Sequence, residues 1–134
     1  MNNEDMLARL VAQAVGDGTD LVTLRAIVEE AQAGQISALV NNAGYGLFGE
    51  FKDSALPPEL AMMQLNMTSL VTLTKLFMPD LLATRGKLLN VASTAAFQPG
   101  PYMAVYYATK AFVLSFSEAI AAELVGKGVT VTAL

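Results

Sequence analysis

The sequence predicts an α/β fold built on a parallel sheet. Short β-branched, apolar runs at Ile36–Val40, Lys87–Ala92 and Gly128–Leu134 alternate with two long stretches of helical periodicity. Strand, helix, strand, helix, strand is the order that right-handed crossovers turn into neighbouring parallel strands. Ligands of such sheets bind beyond the carboxyl ends of the strands, where Asn41–Gly44 and Ser93 fall.

Taken in order, residues 4–15 and 20–33 read as amphipathic helices, with Leu7, Leu10, Val11 and Ala14 on one face of the first. "GDGTD" breaks the two, and Asp20 is placed to cap the second. The strand Ile36–Val40 then runs into the glycine-containing loop "NNAGYGLFG". Pro57 and Pro58 suit the first turn of a helix, which is expected to run to about Pro79, where the missing N–H bends or stops it. After the strand at Lys87–Ala92, a loop rich in Ser, Thr, Gly and Pro leads to a helix near Met103–Val125 and then to the last strand. No internal repeat or low-complexity linker interrupts the chain, so 1–134 is read as one domain.

Composition narrows the chemistry. The chain has no Cys and no His, which removes thiolate nucleophiles, the Ser-His-Asp triad and imidazole or thiolate metal sites. Its eight basic residues are scattered and its net charge is −4, so nothing forms a phosphate-neutralising stripe and nucleic acid is not an expected partner. No uncharged run is long enough for a membrane span, and the acidic start "MNNED" lacks the basic region of a secretory leader. A cytoplasmic protein is expected. Hydrophobic residues make up 54% of the chain, which points to apolar surface buried against a partner.

What remains for catalysis is Tyr, Lys, Ser, Asn and carboxylates. Tyr106 and Lys110 lie four apart on a predicted helix and project from nearly one side. A phenol is a poor acid at neutral pH, with a reference pKa of ~10, and a nearby ammonium makes it a usable general acid/base. The same spacing also suits an aromatic ring packed on a lysine stem. Ser93 follows a strand end; it either presents a hydroxyl there or opens the turn "STAAFQPGP". Asn66 sits inside a helix on the face of Met62, Leu70 and Leu73, so it needs a partner, whether structural or functional. In "NNAG", Asn41 and Asn42 tolerate unusual backbone angles, while Ala43 and Gly44 keep the chain thin for an approaching group or a simple turn.

Together, N-N-A-G after a strand, an Asn in the next helix, and a strand-end Ser thirteen residues before Y-x-x-x-K resemble the short-chain dehydrogenase/reductase (SDR) family. "LVNNAGYG", "LNMTSLV", "LLNVAST" and "YYATKAFVLSFSEAIAAEL" carry the likeness, which covers Ile36 to Leu134, about three quarters of the chain. The resemblance implies a partial Rossmann-like doubly wound parallel sheet, a three-layer α/β/α arrangement. It also implies an NAD(P)-dependent oxidoreductase that interconverts a carbonyl and a secondary alcohol. The residue that separates NAD from NADP is not located, and NADP(H) is only the slight preference between the two.

Carried over by position, Tyr106 would be the catalytic acid and Ser93 would orient the substrate oxygen. Lys110 would tune Tyr106 and hold the nicotinamide ribose, while Asn66 would hold a water that relays protons to Lys110. Asn41, Ala43 and Gly44 would line the cofactor. Tyr107 fits neither the Ser nor the Lys spacing. The helices at residues 57–78 and 103–125 would pair subunits into a homodimer or homotetramer.

The sequence departs from the family at both ends. The glycine-rich T-G-x-x-x-G-x-G fingerprint is not found ahead of Ile36, where only Gly16, Gly18 and Gly34 occur. Asp20-Leu21 is similar to the family's adenine-contacting pair, but closer to Asn41 than the family has it. Beyond "VTVTAL" the family continues with a Pro-Gly turn, a substrate-covering segment and a further strand. The expectation is therefore a piece lacking the first βαβ unit and the lid, inactive alone, with a non-catalytic remnant acting through its oligomerising helices as the alternative. Gly44, Gly46 and Gly49 have the G-x-G-x-x-G spacing of a phosphate cradle, but "EFKDSALPP" postpones the helix that such a cradle requires at once. That spacing is read as coincidence.

Overall fold

The computed structural model describes residues 36–134. The helical readings of 4–15 and 20–33, the Asp20 cap and the Asp20-Leu21 pair lie outside them. The described chain runs β1 (Ala38–Asn41), α1 (Leu56–Met63), a π-helical segment (Gln64–Ser69), α2 (Leu70–Thr84), β2 (Lys87–Asn90), a 3₁₀ turn (Thr94–Phe97), α3 (Ala104–Glu123) and β3 (Thr130–Ala133).

The three strands form one parallel sheet in the order β1-β2-β3. Asn41 pairs with Asn90, and Asn90 with Ala133, so their side chains share one sheet face. On that face Asn41 bonds Thr74 of α2 and Asn90 bonds Ser117 of α3. Both helices therefore cover the same face, as two successive right-handed crossovers require. Among the described residues this makes two layers of the expected three. Val40, which points the other way, is 57% exposed.

Met62, Leu73, Phe77, Leu81 and Leu88 are buried in the core between helices and sheet, and Leu70, Ala92 and Val113 pack together within it. Pro79 does not end its helix: α2 continues to Thr84. The ring is exposed while Phe77 and Leu81 on either side are buried, so packing outweighs the single ladder bond that proline removes. Arg85 ends the helix in the left-handed conformation (φ 53°). Gly86 then passes so close to β1 that an added Cβ would stand 2.6 Å from the Ser37 carbonyl oxygen.

Candidate active site

The carboxyl ends of β1 and β2, the loops that follow them and the start of α3 come together at one edge of the sheet. Val91 N–H donates to the Asn41 carbonyl and Ala92 N–H to that of Leu134, extending the ladder just past the strands. Beyond this point the chain is free to form loops, and every candidate site residue stands on one of these segments or the adjoining helices.

Lys110 is 6% exposed, and its Nζ donates to the Val91 carbonyl at 2.9 Å, two residues before Ser93. The Nζ also stands 5.8 Å from the centre of the Tyr106 ring. Burial holds the Lys110 pKa below its ordinary 10.5. Among the described residues Val91 is its one hydrogen-bond partner, which leaves two of the ammonium's three N–H groups for a ligand. Ser93 caps the 3₁₀ turn, its Oγ accepting the Ala95 N–H at 3.1 Å. Among the described residues its own hydrogen has no acceptor and remains to donate.

Asn66 lies in the π-helical segment and is 2% exposed. Its Oδ1 accepts the Tyr45 N–H at 3.1 Å, while its Nδ2 donates to the Tyr45 carbonyl at 2.9 Å and to Thr109 Oγ1 at 3.0 Å. Both amide hydrogens are thus held by protein. Gly44 lies against this pair: a Cβ there would stand 2.9 Å from Asn66 Oδ1 and 3.7 Å from Lys110 Nζ. Gly46 approaches α3 as closely, with a Cβ at 2.9 Å from Met103 Cε and 3.0 Å from the Tyr106 ring. These glycines let the loop close on the protein's own helices, and the helix after the loop begins only at Leu56.

Asn41, Ala43 and Gly44 divide into two roles. Ala43 and Gly44 are exposed on the loop. Asn41 is 8% exposed, and its Nδ2 is committed inward to Thr74 Oγ1 (3.0 Å) and Asn90 Oδ1 (2.8 Å). Tyr107 packs its ring against Gly100 and meets Tyr106 edge to face at 6.1 Å.

Thr74, Asn90, Ser117 and Thr109, which sequence reasoning did not single out, are 0–2% exposed and bonded to these groups. A signal existed for the first three: each is polar at an otherwise apolar core position. Beside Gly46, a shallow cleft is lined by Leu47, Phe51, Glu59, Tyr102, Met103 and Val105, with Phe48 stacked on Tyr102 at its rim.

Replacing Lys110 with Met gives a checkable consequence. Burial penalises the folded-state ammonium, so the penalty is fully present below the folded pKa and disappears as pH rises toward 10.5. In urea titrations, wild type is expected to gain stability relative to Lys110→Met between neutral pH and pH 10.5. A pH-independent difference would contradict the assignment.

Comparison with known proteins is consistent across sequence and structure. Residues 3–134 match the family model for short chain dehydrogenase, so the match begins upstream of the motifs legible by eye. A ketoacyl reductase (HetN) of Nostoc sp. is 33% identical over 112 residues, 81% of this chain and 39% of that protein. A serine 3-dehydrogenase of Agrobacterium fabrum is 37% identical over 105 residues, 74% of this chain and 40% of its own length. Among solved structures, a putative NAD(P) dependent gluconate 5-dehydrogenase from Beutenbergia cavernae with bound NADP superposes with a TM-score of 0.77 at 31% identity, covering 85% of this chain and 47% of that one. The chain thus spans less than half the length of these relatives.

Proposed function

The chain belongs to the short-chain dehydrogenase family, and from that premise we propose that it carries the catalytic half of an NAD(P)-dependent oxidoreductase acting on a carbonyl or secondary alcohol. The observation that carries this reading is the Tyr106–Lys110 pair, with a buried lysine 5.8 Å from the ring and anchored on Val91 beside Ser93.

In the direction of reduction, the Ser93 hydroxyl donates to the substrate carbonyl oxygen and holds it toward Tyr106. The phenol O–H gives its proton to that oxygen as the alcohol forms. The Lys110 ammonium offsets the charge left on the phenolate, and its low exposure keeps competing water away. When bound, the nicotinamide supplies the hydride. The exposed Ala43 and Gly44, the backbone at Asn41 and the Lys110 N–H groups not given to Val91 suit its ribose side. NADP(H), the form bound in solved relatives, is proposed as the cofactor form. Tyr106 serves both cofactor and substrate, Ser93 the substrate and Lys110 the cofactor.

The test is NAD(P)H-dependent reduction of a carbonyl panel by the full-length protein. Turnover that Tyr106→Phe removes supports the proposal, and no turnover on any carbonyl or alcohol sinks it. Binding by residues 1–134 alone is expected to be weak; tight saturable NAD(P)H fluorescence would overturn that part.

The helices at residues 57–78 and 103–125 are proposed to pair subunits as a homodimer or homotetramer. Leu60 and Phe112 are 53% and 38% exposed there, and Phe112 stacks on Phe116 at 6.0 Å, which supports an apolar contact face. Light scattering is expected to give a dimer or larger, and a well-behaved monomer would refute it. If the full-length protein oligomerises without turnover, the non-catalytic reading replaces the enzymatic one. No helix among the described residues is long and apolar enough to cross a membrane, and a cytoplasmic location is part of the proposal.

A further inference from the structure

We propose that Thr109 is a positioning residue whose hydroxyl, clamped between the Tyr106 carbonyl and the Asn66 amide, locks the helix turn carrying Tyr106 and Lys110 to the Gly44–Tyr45 loop. Its importance to catalysis rests on the reading of Tyr106 and Lys110 above; the clamp itself does not.

A threonine has one hydroxyl hydrogen to give. Here it goes to the Tyr106 carbonyl at 2.7 Å, while the oxygen accepts Asn66 Nδ2 at 3.0 Å. The first bond is the ordinary link of a helical threonine to the preceding turn, and any threonine in a helix can make it. The second is tertiary, spanning 43 residues of chain. It engages an amide whose other hydrogen and whose oxygen hold both backbone groups of Tyr45.

Without the Thr109 hydroxyl, one Asn66 N–H is left without an acceptor in a site where Asn66 is 2% exposed. Rotating the amide to find another acceptor breaks the Tyr45 pair. The loop residue next to that pair is Gly44, whose Cβ position lies 3.7 Å from Lys110 Nζ. Releasing the clamp therefore loosens the loop over the lysine and admits water to it. Thr109 is itself 1% exposed, so it acts on the site through Asn66 and not by touching a ligand.

The experiment compares wild type with the isosteric Thr109→Val, the conservative Thr109→Ser, and Leu124→Ala as a destabilised control away from the clamp. NMR reads hydrogen exchange of the Tyr45 N–H and the Asn66 side-chain amide, together with the Lys110 side-chain titration. Tyr106 is the titratable ring facing that lysine, and Val91 supplies its carbonyl partner.

In wild type both amides should be protected well beyond free-loop rates. In Thr109→Val, Tyr45 exchange should rise at least tenfold and the Lys110 titration should move up toward 10.5. Serine should restore both, and Leu124→Ala should leave the titration in place. Free-loop exchange in wild type overturns the proposal even if the valine variant does not fold. So do unchanged exchange and titration in a folded Thr109→Val, or failure of serine to restore them. None of these readouts uses turnover, so an inactive wild type would refute the dehydrogenase reading and leave the clamp standing.

Discussion

Tyr106→Phe in the full-length protein is expected to lower carbonyl reduction by about 10²- to 10⁴-fold, the range that loss of a positioned general acid carries. The substitution removes one oxygen from a half-buried ring and disturbs little else. No protein hydrogen bond to the phenol oxygen is seen among the described residues, and the backbone bond from Thr109 to the Tyr106 carbonyl does not depend on the side chain. Stability should therefore stay close to wild type while turnover falls, and KM for the carbonyl should change less than kcat. Retained turnover would remove Tyr106 from the mechanism. The adjacent Tyr107, packed against Gly100, offers the contrast. Its loss should act on stability more than on the proton-transfer step.

The second large effect is on the fold. Asn90 is 0% exposed and joins two helices through the sheet. It accepts from Asn41, which also donates to Thr74, and donates to Ser117, whose hydroxyl bonds the Val113 carbonyl. Asn90→Ala strips an acceptor from Asn41 and a donor from Ser117 at a position that is 0% exposed. A loss of about 3 kcal/mol is expected, since each buried group left unpaired costs roughly 1–3 kcal/mol. Urea denaturation checks it: the midpoint should fall with little change in slope. A loss below about 1 kcal/mol would mean that the ladder is replaced by solvent and does not hold the layers together.

Much of this site was legible because its signals are local. Tyr106 and Lys110 share a helix face by their spacing, and Ser93 and Gly44 follow strands that the apolar runs locate to within two residues at their carboxyl ends, Val40 against Asn41 and Ala92 against Asn90. Pro79 shows the limit: its local preference is to stop a helix, yet α2 carries on to Thr84 because Phe77 and Leu81 bury their side chains on either side. Asn41 shows another. The motif that contains it reads as a cofactor wall, but its amide serves the interior, 49 residues away in sequence at Asn90.

The sequence by itself determined the alternation of strands and helices, the parallel sheet and which residues stand at its carboxyl edge. Side-chain periodicity and strand-end position are properties of short stretches, so they survive without knowledge of the rest of the chain. Only the tertiary structure decided how the buried polar groups are shared out: Asn66 with Tyr45 and Thr109, and Asn41 with Thr74 and Asn90. A hydrogen bond needs its partner within about 3 Å along a defined direction. Segments distant in sequence meet that condition only once the helices have packed onto the sheet.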